Sequence, residues 1–301
     1  GFVFLIGGNG TMEVNRQIEQ YCKKNGYQIN IIGIPNTVDN DLCNTDHVPG
    51  FASAAKYICL SVLQGGRLAR DMRSIDKFVI LQTIGRSTGW LAASSALAKR
   101  KETDAPHLIY IPEKPLSRKK FLSDVKDCIK KYGWAYIVCG EGILWEDKNF
   151  VANHYSPDHR EKEFGAMGGG SAALSLHKAI FQELNCRGEF QITESLPMCA
   201  IDRASKVDIE EAYACGVKAI KLVEEGVSGV MVSIIRTNSN PYQMELETVP
   251  FEEVALKIKP MDDVYINEQG NFVTQEYLKY IQPLIGKIPK YADLKFEKAN
   301  V

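Results

Sequence analysis

The chain has 301 residues, is 45% hydrophobic and 24% charged, and carries a formal net charge of −1 with both signs interspersed. That balance excludes a bulk basic field for nucleic acid or an anionic membrane surface, so any anionic ligand must be held by local groups in loops. The length allows a sizeable core and two domains in one polypeptide, and no apolar stretch approaches a membrane span.

The eight cysteines (22, 43, 59, 128, 139, 186, 199 and 215) form neither a C-x-x-C pair nor a His/Cys cluster. They read as small buried hydrophobes in a reducing compartment, which makes the cytoplasm the expected location. The chain opens directly on "GFVFLIGG", with no basic segment ahead of it. This predicts a buried strand and leads us to expect that residues before it are absent.

In chain order, "FVFLI" (2–6) predicts the first strand, and "LIGGNGTM" (5–12) a glycine turn leading into a helix over 11–25. Glycines let the backbone approach an anion, a helix N-terminus offers free N–H groups, and Thr11 can cap the helix. The pattern is neither a P-loop nor G-x-G-x-x-G, so a tight turn without a ligand is equally consistent with it. The strand "INIIGI" (29–34) runs into "PNTVDND" (35–41), at the carboxyl end of a sheet, where ligands bind in open α/β folds. Asp39 and Asp41 can divide the labour there, one taking a hydroxyl proton and the other holding Mg²⁺, with Thr37 on a substrate phosphate. The same residue types also form Asx-turns for purely structural reasons.

A helix over 50–70 leads to the strand "KFVILQ" (77–82), and "QTIGRSTGWLAA" (82–93) repeats the grammar with Gly85-Arg86 ahead of a helix over 87–100. An arginine at a helix N-terminus is electrostatically odd unless an anion is present. The strand "HLIYI" (107–111), a helix over 117–132 and the strand "AYIVC" (135–139) follow. "IVCGEGI" (137–143) then sets Glu141 between glycines at a strand end, where it can grip sugar hydroxyls or simply be solvated. The polar segment 144–168 predicts a surface excursion, and helices over 171–184 and 207–225 with the strand "GVMVSII" (229–235) complete the pattern. Apolar β-branched strands alternating with amphipathic helices specify an α/β fold of two similar doubly wound, Rossmann-like domains with mostly parallel sheets.

Taken in order, "GGNGTM", "GIPNTVDNDL", "TDHVPGFASAAKYI", "IGRSTGWLAASSALA", "PHLIYIPE", "GEGI", "FGAMGGGSAAL", "SKVDIEEAYACGVKAI" and "GNFVTQEYLKYIQPLIG" resemble the phosphofructokinase family, most closely its pyrophosphate-using bacterial branch. The resemblance implies a donor domain (1–50 and 205–262, lacking its N-terminal part), a fructose 6-phosphate domain (51–204 and 263–301), and an active site in the cleft between them. It implies phosphoryl transfer from ATP or pyrophosphate to the C1 hydroxyl of fructose 6-phosphate, with Mg²⁺ as cofactor. Asp39 would be the catalytic base, Arg86 would steady the transferring group, and Asp41 would be the metal-associated carboxylate. Thr37, Lys77, Gly85 and Glu141 would bind substrate, Lys77 across a subunit interface in a homodimer or larger assembly. Gly7, Gly8, Asn9, Gly10 and Thr11 would bind the donor.

Four positions depart from the family pattern. Gly10 stands where pyrophosphate users carry Asp, and Asn36 where they carry Lys; Gly10 favours ATP, while the overall resemblance favours pyrophosphate. Ile84 replaces the Met of Met-Gly-Arg, a volume-conserving swap. Met198 replaces a substrate-phosphate arginine, and Arg203 lies five residues on. An active 6-phosphofructokinase is the primary expectation. The alternatives are a catalytically weakened homologue acting as a regulatory or partner subunit, and a sugar-phosphate binding module that would not need Asp39.

Overall fold

The computed structural model describes residues 1–152 and 170–292, which form two four-stranded sheets. The first has the order β1 (Phe2–Gly7), β2 (Asn30–Pro35), β7 (Val230–Ser239), β8 (Tyr242–Pro250). The second has the order β4 (Leu108–Tyr110), β5 (Ala135–Gly140), β3 (Phe78–Thr83), β6 (Gly188–Ile192). Every pairing is parallel except β7 with β8. The helices are α1 (Asn9–Lys24), α2 (Phe51–Met72), α3 (Trp90–Ser94), α4 (Arg118–Tyr132), α5 (Ala172–Leu184), α6 (Lys206–Glu224), α7 (Phe251–Val254) and α8 (Gln275–Ile285).

Strand periodicity sorts the core. Val79 and Leu81 share one cluster with Ala54, Ala55 and Ile58 of α2, whereas Phe78 and Ile80 share another with Phe121 of α4 and Leu176 of α5. In the first sheet, Ile31 and Met231 face Met12 of α1, while Ile32 and Val232 face Cys215 and Ala219 of α6. Successive side chains thus enter opposite layers, so each sheet needs helices on both faces. The doubly wound α/β expectation is met.

Some elements differ from the sequence reading. The half-polar β6 and the alternating β8 are strands that apolar runs do not reveal. The helix expected over 87–100 is the short α3 followed by a 3-10 turn, Ser95–Ala98. Within the expected surface excursion, Leu144 bridges Phe150 and Val151 is buried; the remainder, with the start of "FGAMGGGSAAL", lies outside the described residues. Among the described residues no helix is long and apolar enough to cross a membrane.

A buried ionic network joins the two layers beside the β2–α2 loop. His47 is fully buried, with Nδ1 2.7 Å from Asp46 and Nε2 2.6 Å from Glu211 of α6. Arg236 of β7 donates from Nε and Nη2 to the Asp46 carboxylate at 3.0 and 2.8 Å, and the Tyr242 hydroxyl bonds Glu211. Burial alone would depress the His47 pKa, but its hydrogen bonds to Asp46 and Glu211 outweigh that and raise it above 6.5. Its stabilising contribution is therefore complete below pH 6.5 and fades as pH rises through the raised value. Removing one partner of such a network strands the others. Arg236→Ala is expected to cost about 3–5 kcal/mol in urea unfolding, most of it insensitive to added salt because the Arg236 side chain is only 8% exposed.

Candidate active site

β1 and β2 run side by side with Gly7 opposite Pro35, so the turn after β1 and the loop after β2 emerge together. The Asn36 N–H donates to the Gly7 carbonyl at 3.0 Å. A Cβ on Gly7 would lie 2.1 Å from Thr11 Oγ1, and one on Gly8 would lie 3.1 Å from Thr37 Cβ, so this turn is closed to side chains. At Gly10 a Cβ would meet nothing within 4 Å. α1 starts at Asn9 with Gly8 as its N-cap and no side-chain cap, which corrects the expectation that Thr11 caps it. The N–H groups of that first turn have no helical acceptor and suit an anion. The Asn9 side chain is already committed: it donates to the Lys257 carbonyl and accepts from the Leu256 N–H at 2.7 Å.

The aspartate loop has almost no regular structure. The Asp39 N–H donates to Thr37 Oγ1 at 3.2 Å, and Thr88 Oγ1 donates to the Asp39 carbonyl at 2.8 Å. Oδ1 of Asp39 and Oδ1 of Asp41 are both buried with no hydrogen-bond partner. Burial, reinforced by the Asp41 charge and opposed by Arg86, pushes the Asp39 pKa up to about 6. Burial also raises Asp41, opposed by its own backbone and by Lys259. Two unpartnered carboxylate oxygens in one buried loop are the donor set a hard cation takes, with phosphate oxygens filling the rest of its shell. The described residues contain no cluster of three or more His, Cys, Asp or Glu able to hold a metal alone.

The second sheet supplies the facing groups. Gly85, at φ 126°, donates its N–H to Glu141 Oε1 at 3.2 Å. Glu141 is 3% exposed; burial raises its pKa to about 7, against the Gly85 hydrogen bond and Arg86. A Cβ on Gly142 would sit 1.7 Å from the Arg86 carbonyl, so the two turns press backbone against backbone. Arg86 is exposed, and its charge acts on both Asp39 and Glu141. The carboxyl end of β2 in one sheet thus meets the carboxyl ends of β3 and β5 in the other.

Thr37, Asp39, Asp41, Gly85, Arg86 and Glu141 are brought together, and the glycine turn adjoins them through Thr37. Lys77 is not brought to them: it stands at the amino end of β3, with Nζ on the Arg73 carbonyl at 2.8 Å. Met198 is 42% exposed on the 3-10 turn Leu196–Met198. Arg203 lies 3.5 Å from Asp202 and over the Tyr57 ring. Sequence reasoning missed two residues. Lys259 is half-buried, donates to the Thr45 and Asp46 carbonyls at 2.9 Å, and is lowered to about 8 by desolvation. Glu113 accepts from the Gly89 and Met261 N–H groups, both at 2.9 Å, tying the Arg86 turn to the Lys259 segment. The "PHLIYIPE" motif ends on Glu113 and offered that signal; nothing local marks Lys259.

A family model described as Phosphofructokinase matches residues 1–223. The chain is 35% identical over 285 residues to a pyrophosphate–fructose 6-phosphate 1-phosphotransferase of Halomonas elongata, covering 94% of this chain and 67% of that protein. It is 34% identical to a sulfofructose kinase of Alkalicoccus urumqiensis, covering 95% of this chain and 71% of that one. The crystal structure of a pyrophosphate-dependent phosphofructokinase from Marinobacter aquaeolei superposes with a TM-score of 0.83 at 34% identity, over 97% of this chain and 70% of that chain.

A carboxylate held above its ordinary pKa destabilises the fold once ionised. The folded state binds that proton more tightly, so stability falls as pH rises from 3.8 through about 6. Asp39→Asn, in magnesium-free buffer at pH 8, is expected to raise the thermal midpoint by roughly 2–5 °C, with the gain shrinking below pH 5; differential scanning calorimetry at both pH values reads it.

Proposed function

The chain belongs to the phosphofructokinase family, and from that footing we propose that it transfers a phosphoryl group from ATP or pyrophosphate to the C1 hydroxyl of fructose 6-phosphate, giving fructose 1,6-bisphosphate. The observation that carries this reading is the Asp39–Asp41 pair, Oδ1 of each buried and unpartnered, at the end of one sheet, facing Arg86 and Glu141 at the end of the other. The alternative of a non-catalytic partner subunit is not favoured, because such a subunit has no need of a buried base opposed to an arginine.

In this reading Asp39 takes the proton of the C1 hydroxyl as that oxygen attacks the phosphorus. A pKa of about 6 leaves it ionised at neutral pH while making it a stronger base than an exposed aspartate. Arg86 steadies the charge on the transferring group, and the Glu141 carboxyl bonds the sugar hydroxyls while holding the Gly85 N–H. The first-turn N–H groups of α1, with Gly7, Gly8 and Thr11 shaping the turn, cradle the donor's distal phosphates. Asn9 serves by bracing that turn. Asp41 would hold Mg²⁺, which supplies charge neutralisation on the phosphates when bound. Lys259 limits the repulsion between Asp41 and Asp39.

Sheet membership supports assigning 1–50 and 205–262 to the donor and 51–204 and 263–301 to the sugar phosphate. Lys77, far from its own site, would serve a neighbouring subunit in a homodimer or larger assembly. The eight cysteines are all free, which favours the cytoplasm. Open space at Gly10 accommodates a nucleotide, whereas the Halomonas elongata and Marinobacter aquaeolei relatives favour pyrophosphate; either donor fits the turn.

A second acceptor merits equal trial. Met198, half-exposed where an arginine is expected, removes a charge suited to a phosphate dianion. A sulfonate carries a single charge, and one relative is a sulfofructose kinase. Purified protein with Mg²⁺, each donor and each sugar should turn over at least one combination, and Asp39→Ala should reduce that rate at least a thousandfold without unfolding the protein. The pH profile of kcat/KM should rise through about 6, because the base must be unprotonated. A flat profile across pH 5–8 would remove Asp39 from the role.

A further inference from the structure

Asn40, between the two aspartates, is fully buried and adopts a left-handed backbone with φ 55°. A non-glycine residue there costs energy and persists only where its surroundings over-determine it. The two flanking carboxylates add to the difficulty, since Oδ1 of each is buried with no hydrogen-bond partner. Their repulsion favours any movement that spreads the loop or opens it to water. Something must hold it.

The holding group is on α8, about 240 residues away in sequence. Asn40 Nδ2 donates to the Tyr280 hydroxyl at 3.1 Å, and that hydroxyl donates to the Asp46 carbonyl at 2.9 Å. One phenol thus grips the loop at two points, six residues apart. Tyr280 is itself fixed: Arg236 Nη1 donates to its carbonyl at 2.9 Å and lies 4.5 Å over its ring, and the Trp90 ring packs at 5.3 Å. We propose that Tyr280 is a positioning residue for phosphoryl transfer, its hydroxyl fixing the Asn40 turn and thereby the placement of the Asp39 and Asp41 carboxylates. The inference rests on the reading of Asp39 and Asp41 given above. Tyr280 touches neither substrate nor donor in it, and acts only through Asn40 and Asp46.

Tyr280→Phe removes the hydroxyl and keeps the ring. Asn40→Gly removes the amide and keeps the left-handed backbone accessible. Each is expected to lower kcat about tenfold or more, with KM for the sugar substrate changed less than about twofold, since a displaced base loses rate before binding. Because both act through one hydrogen bond, the double variant should be no slower than the slower single one. A second readout needs no turnover: the Asp39 N–H is held on Thr37 Oγ1 at 3.2 Å, and either variant should speed its amide hydrogen exchange about tenfold or more as the loop loosens.

Wild-type kcat in Tyr280→Phe, multiplicative losses in the double variant, or unchanged hydrogen exchange at the Asp39 N–H would overturn the proposal. Should Tyr280→Phe fail to fold, Asn40→Gly carries both readouts. Asp39→Asn run in parallel separates the two ideas: if it stays active, the base assignment fails, while hydrogen exchange at the Asp39 N–H still decides whether Tyr280 fixes the loop.

Discussion

Between Pro35 and Gly50 the chain buries polar backbone without regular structure, and buried backbone groups must find partners. Here the partners are side chains from elsewhere. Asp208 of α6 accepts from the Gly50 N–H, Ser233 of β7 donates to the Asn44 carbonyl, Lys259 to the Thr45 and Asp46 carbonyls, and Thr88 to the Asp39 carbonyl. Both sheets and the segments around them are therefore needed to give one loop its shape. The fold's layering and its chemistry meet in that requirement.

Electrostatics follow from the same constraint. A near-neutral chain has no field to lend, so charge is balanced locally in small buried groups. Asp46 is shared by Arg236 and His47, and Lys259 stands behind Asp41. What these groups leave unbalanced is the mutual repulsion of Asp39 and Asp41, with only Arg86 opposing it on Asp39. The free energy spent on that imbalance raises the basicity of the Asp39 carboxylate, an arrangement seen when buried polar groups serve reactivity rather than stability.

Legibility in the sequence tracked how local each signal was. β3 and β5 were readable because strands buried on both faces are apolar throughout. β6 and β8 were not, since an edge strand and one arm of an antiparallel ribbon carry Glu, Gln and Thr facing water. The ordered motifs pointed to Asp39, Asp41, Arg86 and Glu141, and the structure gathers them. Thr11 was misread as a cap because capping depends on where a helix starts, and the partners of the Asn9 side chain, residues 256 and 257, lie far away in sequence. Lys259 and Tyr280 reach the loop over more than 200 residues of sequence, and no pattern within either segment distinguishes a lysine or tyrosine that will be buried there.

The glycine turn meets the aspartate loop with no side chain between them: a Cβ on Gly8 would already press on Thr37 at 3.1 Å, and Asn36 is bonded to Gly7. Packed surfaces in such contact shift as a unit rather than deform. An anion settling on the start of α1 therefore cannot displace Gly8 without moving Thr37, two residues from Asp39. The glycine turn and the aspartate loop share one mechanical part, so occupancy of the first is felt as geometry in the second.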